Sequence, residues 1–175
     1  VTEVKINIRK ASLQDLKATV EIYNQAIRDG KKTAHQNEFS VAERTAWFEK
    51  HQSEQFPLFV AELDEAIVGY ATLSPYRANR PALASSVEIS YYVHFDYHRK
   101  GVGDALVKQA LAAARNKGFQ TVIAILLSGN TASIQLLVKN GFEEWGRLPE
   151  IAHFDDVKLD HLYFGMKTET KASGI

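Results

Sequence analysis

Near the N-terminus Val4, Ile6 and Ile8 alternate with Lys5, Asn7 and Arg9, the period of two that marks a half-buried strand. Ser12 then opens a helix, with Asp15 three residues on in place of a capping-box Glu. Leu13, Leu16, Val20, Tyr23 and Ile27 form its apolar face until Gly30 stops it. Residues 31–39 are polar and turn-forming. Ser40 and Glu43 then make a full capping box for a second helix, with Val41, Thr45 and Phe48 on one side and Trp47 beside them. Residues 56–63 and 67–76 read as strands joined by the acidic turn Asp64-Glu65. A loop containing Pro81 covers residues 77–85, and residues 87–95 are apolar and aromatic enough for a central strand. Residues 102–117 carry the helical period, with Leu106, Ala110, Leu111 and Ala114 on one face and Gly118 closing it. A buried strand over 121–127, a short helix over 130–140 ending at Gly141, and two strands around Asp155-Asp156 complete the pattern. The predicted order is β-α-α-β-β-β-α-β-α-β-β, an α/β layered arrangement with a mixed sheet.

No linker, repeat or low-complexity tract interrupts this pattern, so one domain is expected over residues 1–175, with its core at about 4–168. Charge narrows the function classes. Lys plus Arg is 21 and Asp plus Glu is 21, which argues against affinity built on nucleic-acid phosphates. The absence of cysteine excludes disulfides, thiolate zinc sites and thiol nucleophiles. The longest strictly apolar run, residues 122–127, is far short of the roughly 20 residues that span a bilayer. Residues 1–5 show no signal-peptide pattern, so a cytoplasmic protein is expected.

The most informative stretch is His98-Arg99-Lys100-Gly101-Val102-Gly103, between a strand and a long helix. Two glycines let backbone approach a ligand, and the new helix offers unpaired N–H groups at its positive end. Arg99 and Lys100 add charge, which makes a physical site for a phosphate or pyrophosphate. The same residues also serve a plain strand-to-helix turn. The dinucleotide fingerprint fails because Leu106 holds its third glycine position, and no P-loop, GxSxG or HExxH segment exists. His153, Asp155, Asp156 and His161 are close in sequence, but a polar hairpin turn explains them more simply than a metal site, and no metal is expected.

The loop from His98 to Gly103 resembles the pyrophosphate loop [Q/R]-x-x-G-x-[G/A] of the GNAT superfamily of N-acetyltransferases, departing from it at His98. Within that superfamily the chain resembles the phosphinothricin and methionine sulfoximine acetyltransferases. The matching pieces are Ile22-Tyr23-Asn24, the segments 44–48 and 69–71, Tyr76-Arg77, the segment 87–93, Ser128-Gly129-Asn130 and Ala132-Ser133-Ile134. The resemblance implies a GNAT-type mixed, largely antiparallel sheet flanked by helices, with acetyl-CoA as co-substrate.

It further implies roles for single residues. Glu88 is the expected base for the incoming amine, which arrives mostly protonated; a strand Glu paired with an Arg is the competing reading. Arg77 is expected to grip the substrate's acidic group, with Glu88 and Ser90 beside it, since a guanidinium fork suits a carboxylate or phosphinate. The cofactor side comprises Tyr91, Tyr92 and Val93, whose backbone would pair with the pantetheine arm, then Arg99, Lys100, Gly101, Val102, Gly103 and Asp104 at the loop, and Asn130. Many members place a Tyr seven residues after this Asn as general acid; here that position is Leu137. The expected function is acetylation of the α-amine of a small amino acid such as methionine sulfoximine, methionine sulfone or phosphinothricin, by a homodimer. Another amine (polyamine, antibiotic, protein N-terminus) and a non-catalytic acyl-CoA-binding module are the alternatives.

Overall fold

In the computed structural model, which describes residues 5–168, the N-terminal alternation becomes β1 (Asn7–Lys10). Val4, expected in this strand, lies outside the described residues. A 3-10 turn over Leu13–Asp15 precedes α1 (Leu16–Asp29). That turn winds more tightly than an α-helix, so Leu13 falls out of phase with the apolar stripe and is 67% exposed, contrary to its expected place on the buried face. The turn is fixed by Asp15, which accepts from the Ser12 N–H at 2.8 Å and from both Arg9 terminal nitrogens at 2.8 and 3.0 Å.

The Ser40–Glu43 box caps α2 (Val41–Lys50) as expected, with Ser40 Oγ accepting from the Glu43 N–H at 3.2 Å. Val41, expected on the packed side, is exposed; α2 turns Trp47, Phe48 and the following His51 inward instead. β2 (Leu58–Leu63) and β3 (Ala66–Pro75) form a hairpin whose two loop residues, Asp64 and Glu65, both have positive φ, the geometry that matches strand twist. β4 (Ser86–Val93), α3 (Val102–Asn116), β5 (Thr121–Leu127), α4 (Thr131–Lys139), β6 (Glu143–His153) and β7 (Lys158–Lys167) follow in the expected order.

The strands form one sheet in the order β1-β2-β3-β4-β5-β7-β6. All neighbours are antiparallel except β4 and β5, which run parallel through four residue pairs, Ser86↔Thr121 to Ile89↔Ala124. Beyond Ile89 the two strands part. Helices cover both faces, so strands bury alternate residues into two separate cores. Phe59, Ala61 and Leu63 join Val87, Ile89, Leu106 and Leu137 on the α3 side, while Leu58, Val60 and Tyr70 join Ile22, Tyr23 and Phe48 under α1 and α2.

His51, at the C-cap of α2, is buried between Trp47 O (2.8 Å from Nδ1) and Ser74 Oγ (2.9 Å from Nε2). A carbonyl only accepts, so Nδ1 carries a proton, and in the neutral ring Nε2 accepts from the Ser74 hydroxyl. Burial accordingly holds His51 below its ordinary value of 6.5. The unfolded chain therefore binds this proton more readily, and stability is lost as pH falls below about 6.5 toward the lowered folded value. Melting curves across this range should show Tm falling for the parent and a flatter response for His51→Gln. Equal slopes would assign the acid response to other groups.

Candidate active site

Where β4 and β5 separate, a groove of about 630 Å³ opens between β4, the start of α3 and the start of α4. Its pyrophosphate end is built from backbone. Gly101, at φ 81°, reverses the chain so that α3 begins with no side-chain cap, and the first intrahelical bond runs from Ala105 N–H to Gly101 O at 3.0 Å. The N–H groups of Val102, Gly103 and Asp104 consequently have no intrahelical acceptor. Arg99 also has positive φ, at 58°, so the chain turns twice within three residues on its way into α3. Gly103 allows a close approach: a Cβ there would sit 3.0 Å from Leu136 Cδ2 on α4. Asp104 turns its carboxylate away, onto Lys108 at 2.6 Å and Asn140 at 3.0 Å, which hold it down at about 2.

The strand wall of the groove is an unpaired edge. His94 N–H donates to Val68 O on β3 at 2.8 Å, so by the two-residue period Tyr91 and Val93 turn their N–H groups the other way, toward the groove. His98 Nε2–H donates to Val93 O at 2.9 Å, which ties the loop to the end of β4. On the opposite wall Asn130 caps α4, its Oδ1 accepting from the Ser133 N–H at 3.3 Å, while its Nδ2 has no partner among the described residues. Tyr91, Tyr92, Val93, Arg99, Gly101, Val102, Gly103, Asp104 and Asn130 all line this groove. Lys100 does not; its ammonium lies 4.7 Å from the Tyr97 ring centre. At the inner end, a small cavity of about 40 Å³ reaches Ile89, Ser90 and Leu137.

The other face of β4 carries Glu88, Ser90 and Tyr92, opposite Ser74, Thr72 and Tyr70 of β3. Glu88 is half-buried, and among the described residues no cation lies within ion-pair distance of it, so the Arg-paired reading finds no partner. Burial alone pushes its carboxyl above the usual range. Ser74, bonded to the neutral His51, is its cross-strand neighbour. Arg77 is exposed two residues past β3 and has no side-chain partner among the described residues.

Toward Tyr92 this face is roofed by residues 31–39. Tyr23 Oη bonds Thr33 Oγ1 at 2.8 Å and His35 Nδ1, and the Asn24 side chain brackets the Phe39 backbone with two bonds of 2.9 Å. Lys31 and Gln36 tie the loop to Asp156 and His153 at the β6–β7 turn. Among the described residues no group of three or more His, Asp or Glu side chains is placed to hold a metal.

Two cations here had no role in the sequence reading. The Arg44 guanidinium stacks on Trp47 at 3.8 Å and Tyr23 at 4.7 Å, with Nε buried and unpartnered. Its place on α2 three residues before Trp47 and four before Phe48, on the helix's apolar side, was the available signal. Lys32 lines both the groove and the inner cavity, its ammonium 3.3 Å from Asp29. Only the folded loop could reveal that.

Comparison with known proteins adds independent findings. Residues 19–142 match the model of the acetyltransferase (GNAT) family. The L-methionine sulfoximine/L-methionine sulfone acetyltransferase of Pseudomonas paraeruginosa is 37% identical over 149 residues, covering 83% of this chain and 84% of that protein. The L-amino acid N-acyltransferase MnaT of Escherichia coli is 30% identical over 173 residues, covering 97% of this chain and 100% of that protein. A crystal structure of a GNAT superfamily phosphinothricin acetyltransferase from Sinorhizobium meliloti in complex with AcCoA superposes with a TM-score of 0.88 at 29% identity, covering 93% of this chain and 88% of that one.

Gly103 sits against both the groove and Leu136, so Gly103→Val should lower Tm by packing and weaken coenzyme A binding by crowding. Adding Leu136→Ala makes room on the α4 side. The double variant should recover part of the lost Tm while its coenzyme A affinity in calorimetry stays down by at least about tenfold. Parent-like affinity in the folded double variant would take the loop out of the ligand's path.

Proposed function

Since the chain belongs to the acetyltransferase (GNAT) family, we propose that it acetylates the α-amine of a small amino acid whose side chain ends in a polar, tetrahedral group, such as methionine sulfoximine, methionine sulfone or phosphinothricin. The observation that carries this reading is Glu88: an unpaired, half-buried carboxylate one residue pair from the end of the groove, with its acidity weakened by burial.

The groove fits acetyl-CoA in kind. Open amides at the start of α3 suit a pyrophosphate, and the bare edge of β4 suits an amide-bearing arm. Arg99, Val102, Gly103 and Asp104 would hold the first, and Tyr91, Val93 and Asn130 the second. Acetyl-CoA supplies an activated acetyl thioester.

This chain's residues supply the rest. Glu88 takes the proton that the substrate ammonium must lose, directly or through water, and its raised pKa brings it nearer the working pH of a base. The groove-facing N–H groups of Tyr91 and Val93 are preorganised donors for charge developing on the acyl oxygen. Arg77 and Arg44, each without an anionic partner among the described residues, favour an acidic acceptor over a polyamine. A homodimer belongs to the same proposal, and the exposed Trp145, Leu148 and Ile151 on edge strand β6 give it an apolar surface.

Two tests follow from the roles. Glu88→Gln keeps size and hydrogen bonding but not proton acceptance, so kcat should fall by about 10² to 10⁴ while coenzyme A binding persists. The loss should shrink as pH rises, because more substrate amine then arrives deprotonated. Full activity near neutral pH would move the base elsewhere. Arg77→Ala should raise KM for acidic amino acids with a smaller effect on kcat, and Arg77→Lys should rescue only partly because it lacks the bidentate fork. Unchanged kinetics would leave Arg77 a solvated loop residue.

A further inference from the structure

Acyl transfer from a thioester leaves an electron pair on sulfur, and the inner end of the groove must accommodate that charge. Part of its wall is apolar, from Ile89, Ala124, Ile125 and Leu137, so any stabilisation has to come from the polar groups beside them. Leu137 is 1% exposed and packed in the core, so α4 offers no titratable side chain at that turn. One turn earlier on α4 stands Ser133, and across the gap from it stands Tyr91 of β4. Their hydroxyl oxygens are 2.5 Å apart, and both residues line the groove and the inner cavity.

We propose that the Tyr91–Ser133 pair donates the hydrogen bond that stabilises the departing thiolate. The count of protons supports it. The two hydroxyls carry two hydrogens, and one of these lies in their mutual bond. The other remains for an outside acceptor, whichever residue carries it. The nearest protein alternative, Ser133 O, is 3.4 Å from Tyr91 Oη, long for an O–H···O bond. This inference rests on the acetyltransferase reading for its chemistry.

The transfer balances without any further reactant. Bond formation between the amine nitrogen and the acetyl carbon accompanies breakage of the C–S bond, whose electron pair goes to sulfur. Nitrogen loses two protons on going from ammonium to amide: Glu88 takes the first before attack, and the second passes to solvent as the C–S bond breaks. Burial pushes the Tyr91 hydroxyl up to about 12, against about 8.5 for an ordinary thiol. The hydroxyl therefore keeps its proton and lends a charge-assisted hydrogen bond. Sulfur leaves as the thiolate and is protonated by solvent.

Lys32 is the rival donor, since it also lines the inner cavity. The experiment separates the two and does not need an amine substrate. Coenzyme A is bound to the parent, to Tyr91→Phe, to Ser133→Ala and to Lys32→Met, and the thiolate absorbance of each complex is titrated with pH. Tyr91→Phe should cut the thiolate fraction of bound coenzyme A by at least about tenfold at a given pH, with coenzyme A affinity near the parent's. Ser133→Ala should give a smaller cut, and Lys32→Met none. In turnover with acetyl-CoA, Tyr91→Phe should lower kcat by a similar factor.

Parent-like titration in both hydroxyl variants overturns the proposal, as does a shift found only in Lys32→Met or a parent that binds no coenzyme A. A parent that titrates as expected but acetylates no amino acid overturns the amino-acid reading alone, and the hydrogen bond to sulfur stands.

Discussion

Parallel pairing between β4 and β5 stops at Ile89↔Ala124, and the arrangement of the molecule follows from the strand edges this leaves bare. A backbone amide withdrawn from water without a partner costs on the order of 1–3 kcal/mol, so an open sheet edge inside a domain has to be met by something. In this fold the gap is framed by two helix starts, α3 after β4 with no side-chain cap, and α4 after β5 with Asn130 capping only the Ser133 N–H. Asp104 holds these helices together, accepting from Asn140 and pairing with Lys139 at 3.4 Å, so the gap keeps its width. Donors from a strand and two helices thus converge on one cavity.

Electrostatics separates structural carboxylates from the chemical one. Asp15 is more buried than Glu88, yet its carboxyl is held below the ordinary range because Arg9 and Ser12 more than offset its desolvation. Glu88 has burial without compensation and moves the other way. The same desolvation keeps His51 neutral beside Ser74, so its imidazole places no positive charge next to the base. Isolated burial of a charge is unfavourable for folding, and strands on both sides with cores on both faces are what hold Glu88 in place.

Much of this was legible in the sequence because the signals were local. Capping residues at Ser40 and Glu43, the Asp64-Glu65 turn and the glycines at 101 and 103 act within a few residues of themselves, and the succession of strands and helices along the chain followed from periodicity. Phase errors came where a tertiary contact overrode the pattern: Arg9, from β1, pins Asp15 and forces the 3-10 turn that exposes Leu13. The site divided in the same way. Residues contiguous in the strand-to-helix loop gathered in the groove, whereas the Tyr91–Ser133 contact joins elements 42 positions apart and the place of Lys32 depends on a loop's closed shape. Pattern reading has no access to such distances.

The strand order has a further consequence for assembly of the chain. β1 to β4 come from one uninterrupted stretch and β5 to β7 from another, and between the two halves the sheet is joined by four residue pairs only. The β2–β3 and β6–β7 hairpins close over short turns, while the β4–β5 junction forms only after the whole α3 crossover is in place. The groove is framed by β4 and α3 on one side of that junction and α4 on the other, so it exists only once the two halves have docked. A molecule lodged in it binds finished protein and neither half, so occupancy lengthens the lifetime of the native state as well as deepening its free-energy minimum.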